Sequence, residues 1–577
     1  MPMDRRDATR SDVSKTRPIV VFSAGLLALL ASQGDASDGP VVFSDVAAER
    51  GLNFTHVSPF TPERHLHLTM GSGLAWLDYD GDGWQDLYLA QGCPWHGTRA
   101  PRPQDPTDVL FRNRDGRFEQ LRDIGLDNRA YGMGVAVGDY DNDGFADLFV
   151  SNFGPNVLFH NNGDGTFSED PAFASLKGHG YGASCTWFDA EPDGDLDLFV
   201  TNYADFDDAK YPVCSENGPH GKVPLGCLPS IYPPAQDRYF ASDGQGGFAD
   251  KTDAAGFRLE QPRHGLGVFA GDLNNDGLTD LFVANDSDEN DLWLNRGGGR
   301  FEEVGLISGT AVNREGKREA GMGVAGADVD QDSQFDLFLT HFYEETNTLY
   351  RNLGQGFFLD VTNEFGMAAP SRTKLAFGTV MRDFNGDGFP DCFVANGHIH
   401  DQLEQLGRNI PYAQEAQFFV NQGGRRFRDV SATSGDYFRT KVVGRGAAAA
   451  DFDRDGRLDI AVHHLQGPVA LLRNESPQSG GSIVRLRLIG KTSARDPIGA
   501  SVTVHAGPRR IFLPYEGSSS YLSGNERPHV IAVPKGERIE SVCVAWVGRT
   551  VECWDAPDAS GGELTLIEGT GTSTRDR

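Results

Sequence analysis

Basic residues are scarce. The 577-residue chain has 52 Lys and Arg against 82 Asp and Glu, a formal net charge of −30. General nucleic-acid binding needs a basic footprint and is excluded. Cations, basic partners or plain solubility remain. Beyond residue 31 there is no apolar run of the roughly 20 residues that a bilayer-spanning helix needs. Nucleophile elbows, phosphate loops and dinucleotide fingerprints are missing. So is the Cys/His spacing of a closed zinc site, and His398, His400, His463 and His464 are not read as metal ligands. What abounds is Gly, at 71, and Phe, at 37. That composition suits many short strands and tight turns rather than disorder.

Residues 1–36 read as a signal peptide. Arg5, Arg6, Arg10, Lys15 and Arg17 form a basic start, Ile19 to Ala31 an apolar stretch, and Gly34-Asp35-Ala36 a small-residue cleavage site. A secreted chain is expected, placed outside the cell, in the periplasm or at the cell surface. Its 7 cysteines fit export. Cys543 and Cys553 flank a hairpin-like stretch, and Cys214 and Cys227 share one Pro/Gly-rich loop, so both pairs are disulfide candidates. Cys93, Cys185 and Cys392 remain, and an odd total leaves at least one thiol unpaired.

The dominant feature is a repeat. "DYDGDGWQDLYLA" from Asp78 returns from Asp139, Asp189, Asp272, Asp328, Asp383 and Asp451, at intervals of 61, 50, 83, 56, 55 and 68 residues. A glycine-paired strand such as "GMGVAVG" precedes each copy, and an aromatic-rich strand follows. A third strand comes next ("VLFRN", "VLFHN", "TLYRN", "QFFVN"), then a Gly turn and a fourth. Four short strands per unit, seven times, predict an all-β propeller of seven blades over residues 41–474. Small residues suit the first strand, which crowds the axis. The seventh unit lacks its fourth strand, and "VVFSDVAAERGL" (Val41 to Leu52) has the right pattern to supply it. These units resemble FG-GAP/VCBS repeats, the blades of integrin α-subunit propellers and of many secreted bacterial proteins.

Within each copy, positions 1, 3, 5 and 9 carry oxygen side chains, position 6 allows a sharp bend, and position 7 offers a carbonyl. Alternate carboxylates in one tight turn converge, and hard oxygens in a flexible set suit Ca²⁺ better than Mg²⁺. The first cage comprises Asp78, Asp80, Asp82, Trp84 and Asp86; the second Asp139, Asp141, Asp143, Phe145 and Asp147. The third is Asp189, Glu191, Asp193, Asp195 and Asp197, the fourth Asp272, Asn274, Asp276, Leu278 and Asp280. The fifth is Asp328, Asp330, Asp332, Gln334 and Asp336. The sixth is Asp383, Asn385, Asp387, Phe389 and Asp391, and the seventh Asp451, Asp453, Asp455, Arg457 and Asp459. Up to seven Ca²⁺ are expected. Asn274 and Asn385 lower the charge of their cages, and Ser333, at the Gly position, makes the fifth the poorest candidate. Positions 1, 3, 5 and 9 of these cages hold 26 of the 82 acids, and seven Ca²⁺ would move the net charge from −30 to about −16.

The 2–3 and 4–1 loops of such a propeller emerge opposite the cages. The 4–1 loops carry His65, His67, Arg129, Tyr131, His179, Tyr181, Arg263, His264, Arg318, Arg372, Lys374 and Arg445. They predict a basic, aromatic ring around one mouth of the axis, a face for an anionic, glycan or protein ligand. Of these, His179, Tyr181 and His264 are the loose candidates for acid/base chemistry, and no catalytic residue is assigned.

After "ESPQSGGS" alternating strands without cages predict a small sandwich-like β-domain over residues 480–570, followed by a tail, 571–577. "SARDPIGASVTVHAG" and "SSSYLSGNE" resemble the ASPIC/UnbV domain. Propeller and domain in this order are similar to the cartilage acidic protein family and its many bacterial relatives. That resemblance implies a secreted, calcium-loaded protein acting in recognition or adhesion; the lack of a later apolar run predicts no membrane span after leader removal. The alternatives are a polysaccharide-acting enzyme working in the axial pocket and a purely structural scaffold. No enzymatic activity is expected.

Overall fold

The structure, a computed structural model, describes residues 40–178, 180–477, 482–527, 529–533, 536–557 and 562–573. The signal-peptide reading, and His179, lie outside the described residues. No helix among those described is long and apolar enough to cross a membrane.

The repeats form seven four-stranded antiparallel sheets. Each first strand neighbours the first strand of the next sheet, and the one at Gly444–Ala450 neighbours that at Leu74–Leu77, so the strands close a ring. We number the sheets, or blades, by their cages. The fourth strand of blade 7 is Phe43–Asp45, paired antiparallel with Ala470–Asn474 so that Phe43 faces Asn474. The strand is shorter than the Val41–Leu52 pattern suggests, because the chain turns into a helical turn at Ala47–Arg50. Ring closure thus pairs two edges that would otherwise be exposed.

Crowding at the axis explains the small residues of the first strands. A Cβ at Gly323 would lie 2.3 Å from the Phe377 carbonyl oxygen of the next blade, closer than any side chain tolerates.

The C-terminal residues build two sheets, one of three strands and one of five, over a shared apolar core that includes Val502, Val544, Leu486 and Trp546. Cys543 and Cys553 are direct cross-strand partners and are disulfide-bonded, as are Cys214 and Cys227. Cys93, Cys185 and Cys392 are free thiols.

This domain stands on the cage face of the propeller and sends a finger, residues 515–527, down the axis. Ser520 pairs with Val324 of blade 5, and the Leu522 carbonyl accepts from Val135 of blade 2. Gly524 pairs with Ala75 of blade 1, and Glu526 takes the amide of Asp451 of blade 7. At the tip, Tyr521 is fully buried among Met70, Tyr131, Tyr181, Leu266, Met322 and Phe377, side chains contributed from around the ring. The finger's serines find partners in strand backbone and in one another, so a serine-rich loop can be buried, although Glu516 Oε2 is left without a hydrogen bond.

The opposite mouth is closed as well. The long 2–3 insertions tie to one another across it: Arg99 to Asp208 at 2.5 Å and Arg408 to Glu216 at 2.6 Å. Arg64, in the segment leading into blade 1, meets Asp401 at 3.0 Å. Under them lies an aromatic layer in which His67 stacks on Phe153 at 4.0 Å.

Candidate functional site: seven carboxylate turns

All seven turns share one hydrogen-bond frame. The position-6 amide donates to the position-1 carboxylate in every copy, from 2.8 Å (Gly388 to Asp383) to 3.2 Å (Gly194 to Asp189). Reaching that amide requires positive φ, 86° at Gly83 and 101° at Gly144. Ser333 adopts φ 65° and donates to Asp328 at 2.9 Å. The fifth turn, expected to be the poorest candidate because of Ser333, therefore keeps the hydrogen-bond frame of the others.

The second oxygen of position 1 is the telling one. Oδ1 of Asp78, Asp139, Asp189 and Asp451 is buried with no hydrogen-bond partner, and so are Oδ1 of Asp80, Asp330 and Asp453 at position 3. Buried carboxylate oxygens without a donor are costly. In turns 1, 2, 5 and 7 the carboxylates at positions 1, 3 and 5 offer oxygens within 4.8 Å of one another. Burial, reinforced by neighbouring acids, pushes Asp78 up to about 6 and Asp139 and Asp189 up to about 8. Unpaired, convergent and reluctant to ionise alone, these groups fit a hard divalent cation.

Position 9 behaves differently. Oδ1 of Asp86 accepts the Asn113 amide at 2.7 Å, and Oδ2 accepts the Tyr79 amide at 3.1 Å. The first of these bonds recurs in all seven blades, ending with Asn474 to Asp459 at 2.7 Å. An acid at position 9 thus pins the turn to the third strand, a structural duty the spacing alone does not reveal. Burial raises Asp86 to about 8 and Asp147 and Asp197 to about 7.

Charge is compensated locally by residues that sequence reasoning passed over. The third-strand residue before that Asn is Arg112, Arg351 or Arg473 in blades 1, 5 and 7. Arg112 pairs with Asp80 and, at 3.1 Å, with Asp82; Arg351 lies 2.6 Å from Asp330, and Arg473 2.7 Å from Asp453. Blade 2 has His160, whose Nδ1 is 3.3 Å from Asp141 and 3.4 Å from Asp147. Turns 4 and 6, with Asn at position 3, have Leu294 and Val420 in the arginine's place. There the amide itself covers position 5: Asn274 Nδ2 donates to Asp276 at 2.9 Å and Asn385 Nδ2 to Asp387 at 3.1 Å. Four acids with an arginine, or three without, leave the same formal charge of −3. On that count turns 4 and 6 match turns 1 and 5, while Arg457 and Arg485 also pair with acids of turn 7. Turn 3 has neither device: Ala241 fills the arginine position, and Glu191 lies along the Gly299 turn of blade 4.

The residues expected to form an exposed ring are mostly inside. His65, His67, Tyr131, Tyr181, His264 and Arg445 are buried. The arginine of Arg445 hydrogen-bonds the carbonyls of Thr69, Gly397 and His398 and lies 4.0 Å from the Phe377 ring. Burial lowers it to about 10, and burial keeps His67 neutral. The cations nearer the surface are paired: Arg263 with Asp291 and Glu289, Arg318 with Glu289 at 3.0 Å, Lys374 with Glu415 at 2.6 Å, Arg129 with Asp127 at 2.6 Å. Arg372 is exposed. The insertions cover this mouth, so 4–1 loop residues face aromatic side chains instead of solvent. His463 hydrogen-bonds the Ala90 carbonyl and His464 that of Pro468, and both are buried.

Comparison with known proteins agrees with this architecture. The FG-GAP-like repeat family matches residues 78–150, 139–200, 272–339, 328–394 and 383–462, and the ASPIC and UnbV family matches 490–573. Cartilage acidic protein 1 of Xenopus tropicalis is 25% identical over 465 residues, 76% of this chain and 64% of that protein. The human protein of that name is 27% identical over 536 residues, 88% of this chain and 65% of its own. The chain thus spans just under two thirds of the length of these relatives. Among solved structures, the BP39L lectin from Burkholderia pseudomallei aligns at 13% identity over 70% of this chain and 95% of its own. Its TM-score of 0.40 is too loose a likeness to bear on function. With its repeats matched over more than half its length, the chain belongs to the FG-GAP-like repeat family and carries a C-terminal ASPIC and UnbV domain.

Proposed function

We propose that this is an exported, calcium-loaded propeller that recognises an extracellular or surface protein or glycan. The observation that carries the calcium part is the row of buried, unpartnered carboxylate oxygens at positions 1 and 3. Calcium supplies the positive charge those oxygens lack, and positions 1, 3 and 5 of each turn would hold it. The position-9 carboxylate would act from behind by fixing the turn. Two disulfides support an oxidising compartment, and the similarity to cartilage acidic protein 1 supports an extracellular role.

The reading includes no catalytic step. A polysaccharide-acting enzyme in the axial pocket would need room that Tyr521 and its neighbours fill. A rigid, closed ring with its mouths covered suits a recognition scaffold, because binding then uses loops and clefts on a fixed frame. Calorimetric titration of chelator-treated protein with Ca²⁺ tests the metal. Several equivalents bound with a large rise in melting temperature are expected; no heat and an unchanged melt would overturn it. A glycan and surface-protein binding screen, run with and without Ca²⁺, tests recognition.

A further inference from the structure

The C-terminal domain does not seal the cage face completely. Between it and turns 1 and 2 lies a cleft of about 450 Å³, within the size range of small-ligand sites. Three of its arginines are already committed: Arg485 to Asp451 and Glu526, Arg527 to Asp496, and Arg454 to Glu563. One is not: Arg487, on the strand Ser482–Ile489, is exposed to the cleft and its guanidinium forms no hydrogen bond or ion pair among the described residues. Arg495, 48% exposed, is held by a single long ion pair, to Asp139 at 3.6 Å.

The facing wall is made of Asp78 and Asp139, the first residues of turns 1 and 2. Both have an unpartnered Oδ1, and Asp139 is only 6% exposed. Five arginines and five acids line the cleft, so it is formally neutral as it stands. A divalent cation in each of the two turns would shift it by four positive charges. Arginines aimed at an emptied negative wall then become an anion site, with guanidinium forks suited to carboxylate and sulfate oxygens.

We propose that this cleft binds an acidic sugar, one or two rings bearing carboxylate or sulfate groups, and does so only when turns 1 and 2 hold calcium. The proposal rests on the calcium reading above. It also places recognition on the cage face, where the metal controls the charge.

The test is calorimetry with a sulfated uronate disaccharide and with its unsulfated, uncharged parent, in Ca²⁺ and in chelator. The charged sugar should bind in Ca²⁺ at least tenfold more tightly than the parent, and binding should vanish in chelator. Arg487→Glu and Arg495→Glu should each weaken it tenfold or more, and Arg487→Glu, which breaks no ion pair with a turn, should leave calcium stoichiometry and melting temperature unchanged. Arg318→Glu, on the far face and 56% exposed, should leave it unaltered. Calcium uptake without charge-selective sugar binding, or binding indifferent to Arg487 and Arg495, overturns the cleft and leaves the calcium reading standing. Binding that needs Arg487 in a chain that takes up no calcium overturns the calcium control and the calcium reading, and keeps only the arginine cleft.

Discussion

The side-chain amide of Asn113 in blade 1 donates to the Phe452 carbonyl of blade 7 at 2.7 Å, so the bond that closes the ring is the one that joins its neighbours. The same amide-to-position-2 latch links Asn161 to Tyr79, Asn295 to Ala190, Asn352 to Leu273, Asn421 to Val329 and Asn474 to Phe384, at 2.8–2.9 Å. Only the joint between blades 2 and 3 lacks it, because Ser242 stands where the amide would be. Asn113→Ala leaves the buried carbonyls of Gln85 and Phe452 without a donor and should cost about 2 kcal/mol. Urea unfolding would show it as a lower midpoint; no shift would mean that the ring closes on apolar contacts alone.

Chelation should give the protein an unusual pH response. The position-1 acids are held up by burial, Asp78 to about 6, Asp328, Asp383 and Asp451 to about 7, Asp139 and Asp189 to about 8. An unfolded Asp titrates near 4. Between those values the folded chain binds more protons than the unfolded one, so stability falls as pH rises from about 4 to about 8. In chelator the protein should melt higher at pH 5 than at pH 8. In Ca²⁺, which takes the proton's place, the difference should shrink or reverse. Parallel melting curves with and without Ca²⁺ across that range would contradict the assignment.

The arginines beside the turns should tune affinity. Arg351→Leu leaves turn 5 with four acids and no resident cation. It should bind Ca²⁺ more tightly, since affinity rises with ligand charge, and should melt lower than wild type in chelator. Titration calorimetry would detect one tightened site. An unchanged isotherm would mean that Arg351 stays outside the reach of the metal.

The finger should matter as much as any propeller residue. Tyr521→Ala removes a ring packed against side chains from around the axis and should cost about 3–5 kcal/mol. Tyr521→Phe should cost no more than about 1 kcal/mol, because the hydroxyl reaches only the Met70 carbonyl, at 3.3 Å. Comparable losses for the two variants would place the finger's contribution in that hydroxyl instead of in packing.

Ser333→Gly offers a gain. Serine at φ 65° carries a left-handed penalty of about 1 kcal/mol that glycine avoids. Part of it returns as unfolded-state entropy. A small rise in melting temperature is expected in both Ca²⁺ and chelator, and a fall would show that the Ser333 side chain holds the turn.

Much of this protein could be read from its sequence because its information is local and repeated. Asp at positions 1, 3, 5 and 9, a positive-φ residue at 6 and a glycine-paired strand in front specify one turn between two strands. Seven such turns specify the sheets, and a missing fourth strand after Asn474 points to Phe43. Contacts between distant segments were not legible. The strand-3 residue that compensates turns 1, 2, 5 and 7 lies next to an Asn whose partner is in another blade. "SSSYLSGNE" has the composition of a surface loop, yet Tyr521 lies on the axis because strand backbones there satisfy its neighbours. His67, Tyr131 and Arg445 look like loop residues of an open mouth until the insertions fold over them. The sequence by itself determined the repeating turn and the strands it joins, since backbone geometry and charge act over a few residues. Which of those residues meet solvent, metal or each other was decided only when the C-terminal domain and the insertions packed against the two faces, since burial belongs to the assembled surface and to no single segment.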